Sequence, residues 1–277
     1  MTAYCQYDPT VSLEWARGGL RLLLPTTGGY VNYNLVHSVR PDRRCDTWRL
    51  GQAFFCDPSF KTVEALTPHG AEWDMALRLC GRADFIGGYA HGDEVCTSLS
   101  VTVDGYARDI LSFTDPTPFH ELVITVESVG YDPDDSVSAA LKHRKEYVVT
   151  TDRITLRQSV EWLNDYTLGS SYMAMMPPLK TLTDRFYTDV DPMPKDAESN
   201  YGAVSGATEA VVLGKDSGFS FSMSAPETPS LAGGGKFLLT DNNGGKYNKM
   251  YFVACNGAEV KAGDVWKTTT VYAIKKS

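Results

Sequence analysis

The chain has 277 residues, of which 43% are hydrophobic and 22% charged, and its formal net charge is −8 at pH 7. This composition is that of a folded globular protein with a substantial core, and it argues against extensive disorder. The acidic balance also argues against nonspecific binding to nucleic acid or to an anionic membrane, because both draw on a basic surface. No apolar run reaches the roughly 18 residues of a membrane-spanning helix. The first residues lack the basic and apolar regions of a signal peptide, so a cytoplasmic location is expected.

Six cysteines are scattered along the chain without a CxxC pair or a regular spacing. Zinc sites use closely spaced ligand pairs, so no metal site is predicted, and no other cofactor is expected. In a chain without a leader we expect free, buried thiols rather than disulfides.

Strand patterns dominate the chain from beginning to end. β-Branched and aromatic residues, or alternating polarity, predict strands at 12–15, 20–24, 99–103, 121–128, 146–149, 154–163, 210–213, 219–223, 249–253 and 268–274. Clusters of Gly, Pro, Asn and Asp separate them, as in hairpins and long sandwich connections. The best helical candidate is 136–145, which could equally be an irregular loop. We therefore predict one all-β domain over residues 1–277, a large antiparallel β-sandwich, with a jelly-roll sandwich as the alternative.

The strand predicted at 154–163 alternates for most of its length. It places Ile154, Leu156, Gln158, Val160 and Trp162 on one face. That face is buried in a central antiparallel strand, so Gln158 would need a hydrogen-bond partner. Gln158 is therefore either a satisfied core amide or part of a polar ligand-binding face.

Residues 87–94, Gly-Gly-Tyr-Ala-His-Gly-Asp-Glu, place an imidazole, two carboxylates and a phenol on a backbone with three glycines. Glycine takes positive φ at no steric cost, so this pattern indicates a sharp turn or the close approach of a ligand. The alternative is a solvated surface loop. His91 is the predicted acid or base, because histidine titrates near neutrality, and Glu94 is its predicted partner. If the loop is extended, Asp93 shares a side with His91 and could be the neighbour instead.

Residues 46–52, Asp-Thr-Trp-Arg-Leu-Gly-Gln, place Trp48 beside Arg49. An aromatic face packs on the apolar side of a sugar ring, and a guanidinium matches a uronate carboxylate. In a lyase such an arginine would also stabilise an enolate-like intermediate. The alternative is a core tryptophan next to an arginine that pairs with Asp46 or Asp57.

Residues 67–73, Thr-Pro-His-Gly-Ala-Glu-Trp, repeat the combination of histidine, glycine, acid and aromatic ring. If this loop and the 87–94 loop line one cleft, His69 faces His91 across it. The alternative is two unrelated surface turns.

The remaining motifs carry less chemistry. His37 is a weaker candidate, and His120 and His143 are expected at the surface or at strand edges. The methionine-rich residues 172–178 predict a buried strand, because methionine packs irregular apolar space well. The acidic run 184–196 lacks the ligand spacing of a calcium loop and is predicted to be solvated.

Three segments resemble the galactose-mutarotase-like supersandwich, a group that also includes sandwich domains of some polysaccharide lyases. Residues 87–92 are similar to the glycine and histidine loop after the early strands of sugar epimerases, and 160–168 to their mid-chain strand with an Asn-centred turn. Residues 260–266, followed by 268–274, resemble the closing turn and last long strand. Where an epimerase would carry its second histidine, this chain has Asp165. The resemblance therefore implies the fold and a sugar ligand, but not the standard epimerase mechanism.

These observations predict a saccharide cleft built partly by residues 46–52, 67–73 and 87–94. The expected chemistry is proton transfer on a sugar or uronate, by elimination or epimerisation. The residues expected to act in catalysis are His91, Glu94, His69 and Arg49, and those expected to contact the sugar are Trp48, Tyr89, Asp93, Trp73 and Gln158. The competing function is a noncatalytic carbohydrate-binding or virion structural module. A third alternative is that the polar loops form a homo-oligomer interface.

Overall fold

The computed structural model describes residues 1–11, 16–88, 91–135, 137–197, 202–228, 236–242 and 245–277. Within these ranges the regular structure consists of 24 strands and three short 3-10 helices, with no α-helix. The first twelve strands are β1 (Ala3–Asp8), β2 (Ala16–Thr26), β3 (Gly29–Arg40), β4 (Cys45–Cys56), β5 (Thr62–Ala65), β6 (Ala76–Leu77), β7 (Ile86–Gly87), β8 (Glu94–Val103), β9 (Tyr106–Arg108), β10 (Thr117–Phe119), β11 (Leu122–Tyr131) and β12 (Ala139–Val149). The other twelve are β13 (Ile154–Trp162), β14 (Tyr166–Thr167), β15 (Ala174–Met176), β16 (Arg185–Thr188), β17 (Lys195–Asp196), β18 (Gly202–Ser205), β19 (Glu209–Leu213), β20 (Phe219–Glu227), β21 (Lys236–Asn242), β22 (Tyr247–Ala254), β23 (Glu259–Val260) and β24 (Val265–Lys276). The 3-10 helices are Pro41–Arg43, Ile110–Ser112 and Lys180–Leu182.

One long sheet organises the molecule, in the order β10-β1-β2-β3-β4-β8-β11-β12-β13-β24-β20-β19-β16-β17, with β5 and β9 paired to β4 and β8. Its neighbouring strands run antiparallel except β4 and β8, which pair in parallel at Cys45 and Asp46. The sheet is therefore mixed rather than wholly antiparallel. A second sheet, β15-β22-β21-β18, contributes to the same core, where Phe237 stacks on Phe186 with ring centroids 5.4 Å apart. The fold is thus an all-β sandwich, as the sequence predicts.

Nine of the ten predicted strands lie largely or wholly within strands of the structure, and the tenth, 12–15, falls outside the described residues. The interpretation of 136–145 as a helix or irregular loop is wrong for 139–145, which belong to β12. Strand β12 buries alternate residues, but two of these are His143 and Lys145. Polar residues at inward positions hide the period of two on which strand prediction depends.

The core follows the predicted patterns elsewhere. The predicted inward face of β13, from Ile154 to Trp162, is buried at every second residue, and the methionine-rich strand β15 is buried throughout. Cys5, Cys45, Cys56 and Cys255 are buried thiols, whereas Cys80 is exposed and Cys96 half-buried. In the part of the chain that the structure describes, no helix is long and apolar enough to cross a membrane.

Candidate functional site

The glycine loop between β7 and β8 is folded back on itself, as its glycines predict. Gly87 and Gly88 have φ values of +80° and +73°, a conformation that residues with side chains rarely adopt. The backbone N–H of Gly87 donates to the carbonyl of Gly92 at 2.9 Å, and Gly92 packs directly against the carbonyl of Arg43. The loop is therefore docked on the turn between β3 and β4. Tyr89, a predicted sugar contact, lies outside the described residues.

His91 is held by an aspartate that the sequence analysis did not assign. Its Nδ1 lies 2.6 Å from Oδ1 of Asp84, and the Asp84 carboxylate also forms an ion pair with Arg43. Burial raises the pKa of Asp84, but the backbone N–H of Phe85, His91 and Arg43 outweigh this effect and hold the pKa below its ordinary value. The His91 side chain remains 27% exposed. The imidazole is thus oriented by a carboxylate while still accessible to a ligand.

Glu72 lies next to His91 because residue 88 is a glycine. A Cβ at residue 88 would be 2.6 Å from Oε1 of Glu72 and 3.2 Å from Cδ2 of His91. Both side chains therefore crowd the position of a Cβ at residue 88, and a larger residue there would push one of them away. Glu72 forms an ion pair with Lys249, whose pKa is raised because the attraction of Glu72 and Tyr251 outweighs the lowering effect of burial.

A row of aromatic rings continues from His91. The Phe85 ring lies 4.5 Å from the His91 ring and 6.5 Å from that of Tyr172, which in turn lies 4.2 Å from Tyr251. A cation lies over each end of the row, with the Arg78 guanidinium 5.5 Å from the Phe85 ring and Lys249 Nζ 5.1 Å from the Tyr251 ring. We call this cluster the loop site; it consists of Glu72, Arg78, Asp84, Phe85, Gly88, His91, Tyr172, Lys249 and Tyr251.

Glu94, the predicted partner of His91, points into the protein instead. It accepts a hydrogen bond from Ser128 Oγ at 2.6 Å, and its Oε1 lies 3.0 Å from His143 Nδ1 and 3.1 Å from Lys145 Nζ. Lys145 also contacts Oδ2 of Asp74 at 3.0 Å. We call these five residues, together with Gln158, the buried network. The prediction of Glu94 as a partner of His91 is corrected, because a fully buried carboxylate engaged by these groups cannot serve the loop.

Two members of the buried network, Gln158 and His143, were also the subject of sequence predictions. Gln158 donates to the Met173 carbonyl at 2.6 Å and to Thr268 Oγ1 at 3.2 Å, and its oxygen accepts from the Met75 N–H at 3.2 Å. It is therefore the satisfied core amide of the two alternatives, not a sugar contact. His143, expected at the surface, is buried, with its Nε2 3.2 Å from the Gln158 oxygen.

The predicted Trp48–Arg49 pair does not form an open binding surface. Arg49 is buried, and its Nη2 donates to Ser38 Oγ at 2.7 Å and to Cys45 Sγ at 3.2 Å. Trp48 is only 8% exposed and stacks on His37, with ring centroids 4.9 Å apart. The prediction that Arg49 binds a uronate is corrected, because its guanidinium is excluded from the surface.

Three other predicted residues lie in different surroundings. Trp73 is fully buried, where its Nε1 donates to the Gly51 carbonyl at 2.7 Å, so it cannot stack on a sugar. Asp93 is nearly buried and lies 3.1 Å from Arg44; burial raises the pKa of this carboxyl. His69 is exposed and lines a separate groove. The 67–73 and 87–94 loops do meet, but through Glu72 and Gly88 rather than through His69 and His91.

Sequence reasoning missed most of the loop site. Lys249 and Tyr251 lie on β22, and Tyr172 precedes β15; these strands pair, with Met175 opposite Tyr251. This long-range pairing has no local signal. Glu72 and Tyr172 belong to the 67–73 and 172–178 motifs, which the sequence does single out. Nothing in the sequence indicates that these two residues lie near His91.

No protein-family model matches the sequence, and no curated protein matches it at a significant level. Similar solved structures include a candidate aldose 1-epimerase from Escherichia coli K12, with 10% identity and a TM-score of 0.48 over 93% of this chain and 99% of that chain. They also include the GH36 α-galactosidase AgaA from Geobacillus stearothermophilus, with 11% identity and a TM-score of 0.48 over 96% of this chain and 40% of that chain. A glycoside hydrolase family 97 enzyme from Pseudoalteromonas sp. strain K8 has 10% identity and a TM-score of 0.46 over 90% of this chain and 35% of that chain. Similarity at this level is to the fold, so the residues of the chain itself must carry any functional assignment.

Proposed function

We propose that this chain is a carbohydrate-active protein whose loop site transfers protons on a sugar or uronate. The observation that carries the proposal is the pair of Glu72 and His91, a carboxylate and an imidazole that both reach within 3.2 Å of the Cβ position of residue 88. Acid/base catalysis needs two such groups within reach of one reacting centre. The net charge of −8 argues against a nucleic acid or an anionic membrane as the ligand, and a uronate polymer would have to bind through a local cation such as Arg78.

The neighbouring groups suit a sugar ring. Aromatic faces pack on the apolar faces of sugars. The row offers two half-buried rings, Phe85 and Tyr172, and the buried ring of Tyr251 behind them in the row. Arg78, over the Phe85 end of the row, can neutralise a uronate carboxylate, whereas the charge of Lys249 is already paired with Glu72. A cation beside the acid/base pair favours elimination, in which charge develops on that carboxylate.

In the elimination, His91 Nε2 removes the proton α to the uronate carboxylate. The electron pair of that C–H bond forms a C=C bond as the bond from the β-carbon to the glycosidic oxygen breaks. The leaving oxygen takes a proton from a water molecule, the proton held by His91 passes to the hydroxide so formed, and the product is an unsaturated uronate. Asp84 orients the ring by accepting from Nδ1, which directs Nε2 to the ligand. If the sugar is instead an aldose, Glu72 and His91 would exchange protons with the anomeric hydroxyl and the ring oxygen.

The test is growth of ultraviolet absorbance when the protein is mixed with polygalacturonate, alginate or heparan sulfate, since elimination forms a conjugated product. His91→Gln should lower the rate about 10²- to 10⁴-fold with little change in melting temperature. His37→Gln is the matched control. His37 also contacts an aspartate, Asp46, at 2.7 Å and stacks on an aromatic ring, yet belongs to neither loop.

The other outcomes are distinguishable. Anomer exchange detected by NMR with a neutral aldose, without elimination, would assign epimerase chemistry to the same residues. Saccharide binding by calorimetry without turnover in either assay would contradict catalysis and favour the noncatalytic carbohydrate-binding or virion module. Equal loss of activity in His37→Gln and His91→Gln would show that the loop site is not where the reaction occurs.

A further inference from the structure

A second site lies apart from the loop site, on one face of β2, β3 and β4. It is a groove of about 370 Å³, within the range of small-molecule sites. Its lining includes the amides of Asn32, Asn34 and Gln52 and the rings of Phe54 and Phe60. Amides that both donate and accept hydrogen bonds, next to aromatic rings, make up a surface suited to a polyhydroxylated ligand. We call it the amide groove.

One buried atom of the amide groove needs a partner. Asn32 is only 2% exposed, and its amide nitrogen donates to Oδ1 of Asn34 at 3.0 Å. Its own Oδ1 is buried and, across the residues that the structure describes, accepts no hydrogen bond. A buried acceptor left unsatisfied costs about 1–3 kcal/mol. A ligand in the groove that draws the Asn32 side chain outward and donates a hydroxyl to this oxygen would recover that cost.

The aromatic side of the amide groove is held in a strained conformation. Phe60 has a φ of +67°, which residues with a Cβ adopt at an energetic cost. Arg21 Nη2 donates to the Phe60 carbonyl at 2.7 Å, and the ring packs 5.2 Å from Tyr4 and 4.9 Å from Tyr30. These contacts fix the ring in place before any ligand arrives. Strained residues of this kind are found at ligand clamps.

The charges of the amide groove select a neutral ligand. Asp8 and Arg21 are its charged lining residues, His69 lines it as well, and Arg21 is already engaged with the Phe60 carbonyl. An anionic ligand would meet Asp8, and a cationic one would meet Arg21. A neutral sugar offers hydroxyls to the amides and apolar C–H faces to the rings without either penalty.

We propose that the amide groove is a second, noncatalytic binding site for a neutral sugar residue. It shares no residue with the loop site and does not depend on proton transfer there. Such a site would hold a glycan on the surface of the protein whether or not the loop site turns it over.

The test is isothermal titration calorimetry with maltotriose, cellotriose, triacetylchitotriose and trigalacturonate as probes. At least one neutral trisaccharide should bind. Asn32→Leu removes the unpartnered oxygen and should weaken that binding about tenfold, as expected for one lost hydrogen bond. If Asn32→Leu does not fold, Phe54→Ala, which removes a ring of the lining, provides the second measurement. His37→Gln, which belongs to neither site, should bind the probe as the parent does.

Binding of a neutral probe that both groove variants weaken and His37→Gln leaves unchanged would support the proposal. It would be overturned if no neutral probe bound at millimolar concentration, if the groove variants bound the neutral probes as tightly as the parent, or if Asn32→Leu weakened the binding of trigalacturonate more than that of every neutral probe. Absence of turnover at the loop site would contradict the proposed function alone, since the calorimetric result does not require catalysis.

Discussion

The loop site and the buried network each join a histidine to a carboxylate, but in different environments. His91 contacts Asp84 at the surface, where its side chain is 27% exposed, whereas His143 contacts Glu94 in an environment closed to solvent. Both ring nitrogens of His143 face oxygens of the protein, Glu94 Oε1 and Gln158 Oε1. The side chain of the buried histidine is therefore enclosed by the protein, whereas that of His91 remains partly open to solvent.

The two histidines show that closeness in the sequence does not decide which carboxylate a histidine contacts. His91 and Glu94 are three residues apart, yet β8 begins at Glu94 and sends this side chain into the protein. The carboxylates that do lie beside His91 are Asp84 and Glu72, from the preceding loops. If the comparison is right, changes in the buried network should affect stability, and changes around His91 should affect activity.

The largest effect is expected from Lys145→Met. This change leaves Glu94 and Asp74 as buried carboxylates without their shared ammonium, which should lower the free energy of unfolding by about 3–5 kcal/mol. The measurement is the urea midpoint. Lys142→Met is the control: Lys142 lies on the same strand but on the exposed face, where it pairs with Glu161, and should cost at most about 1 kcal/mol. Equal midpoints for the two variants would contradict a structural role for the buried network.

The next effect is a loss of stability in acid. Burial by itself raises the pKa of Glu94, but Lys145, His143 and Ser128 outweigh burial and hold this pKa well below its ordinary value of 4.5. A carboxyl whose pKa is lower in the folded state stabilises the fold above pH 4.5, and this contribution is lost as the pH falls through the folded-state pKa. Glu94→Gln should therefore show a shallower loss of unfolding free energy below pH 4.5 than the parent.

The pH comparison also has a basic limb. The pKa of Lys145 is raised, because its attraction to Glu94 and Asp74 outweighs the lowering effect of burial. The contribution of Lys145 to the free energy of unfolding is complete below the unfolded pKa of 10.5 and is lost as the pH rises through the folded-state pKa.

For the loss of stability in acid, the control variant is Glu161→Gln, on the exposed face. A Glu94→Gln slope identical to that of the parent would sink this interpretation.

The smallest effect on stability is expected from Gly88→Ala, about 1–2 kcal/mol, because residue 88 is in the left-handed region. The new methyl group would also displace Glu72 or His91, so turnover at the loop site should fall more than stability does. Gly105→Ala is the matched control, since Gly105 has a φ of +83° and open space around its Cβ position. Comparable turnover in the two variants would argue against Glu72 and His91 as a pair.

Local patterns predicted much of the fold and one part of the site. The alternation of β13 identified its buried face correctly, including the inward Gln158. The glycines of the 87–94 loop indicated a sharp turn, and Gly87 and Gly88 do have positive φ values. Strand β12 was misread because His143 and Lys145 occupy inward positions, and a polar residue there gives the same local signal as an exposed one.

By itself the sequence determined that the protein is built of strands and where most of them run, and its glycines indicated the sharp turn before His91. These features depend on period-two polarity and on glycine's backbone freedom, which act over a few residues. Only the tertiary structure decided which carboxylate each histidine meets, because β8 turns Glu94 inward, away from His91. The tertiary structure also decided which rings lie together, since the pairing of β15 with β22 brings Tyr172 close to Tyr251. The glycine loop therefore supplies His91, and segments from elsewhere in the chain supply the rest of the candidate site.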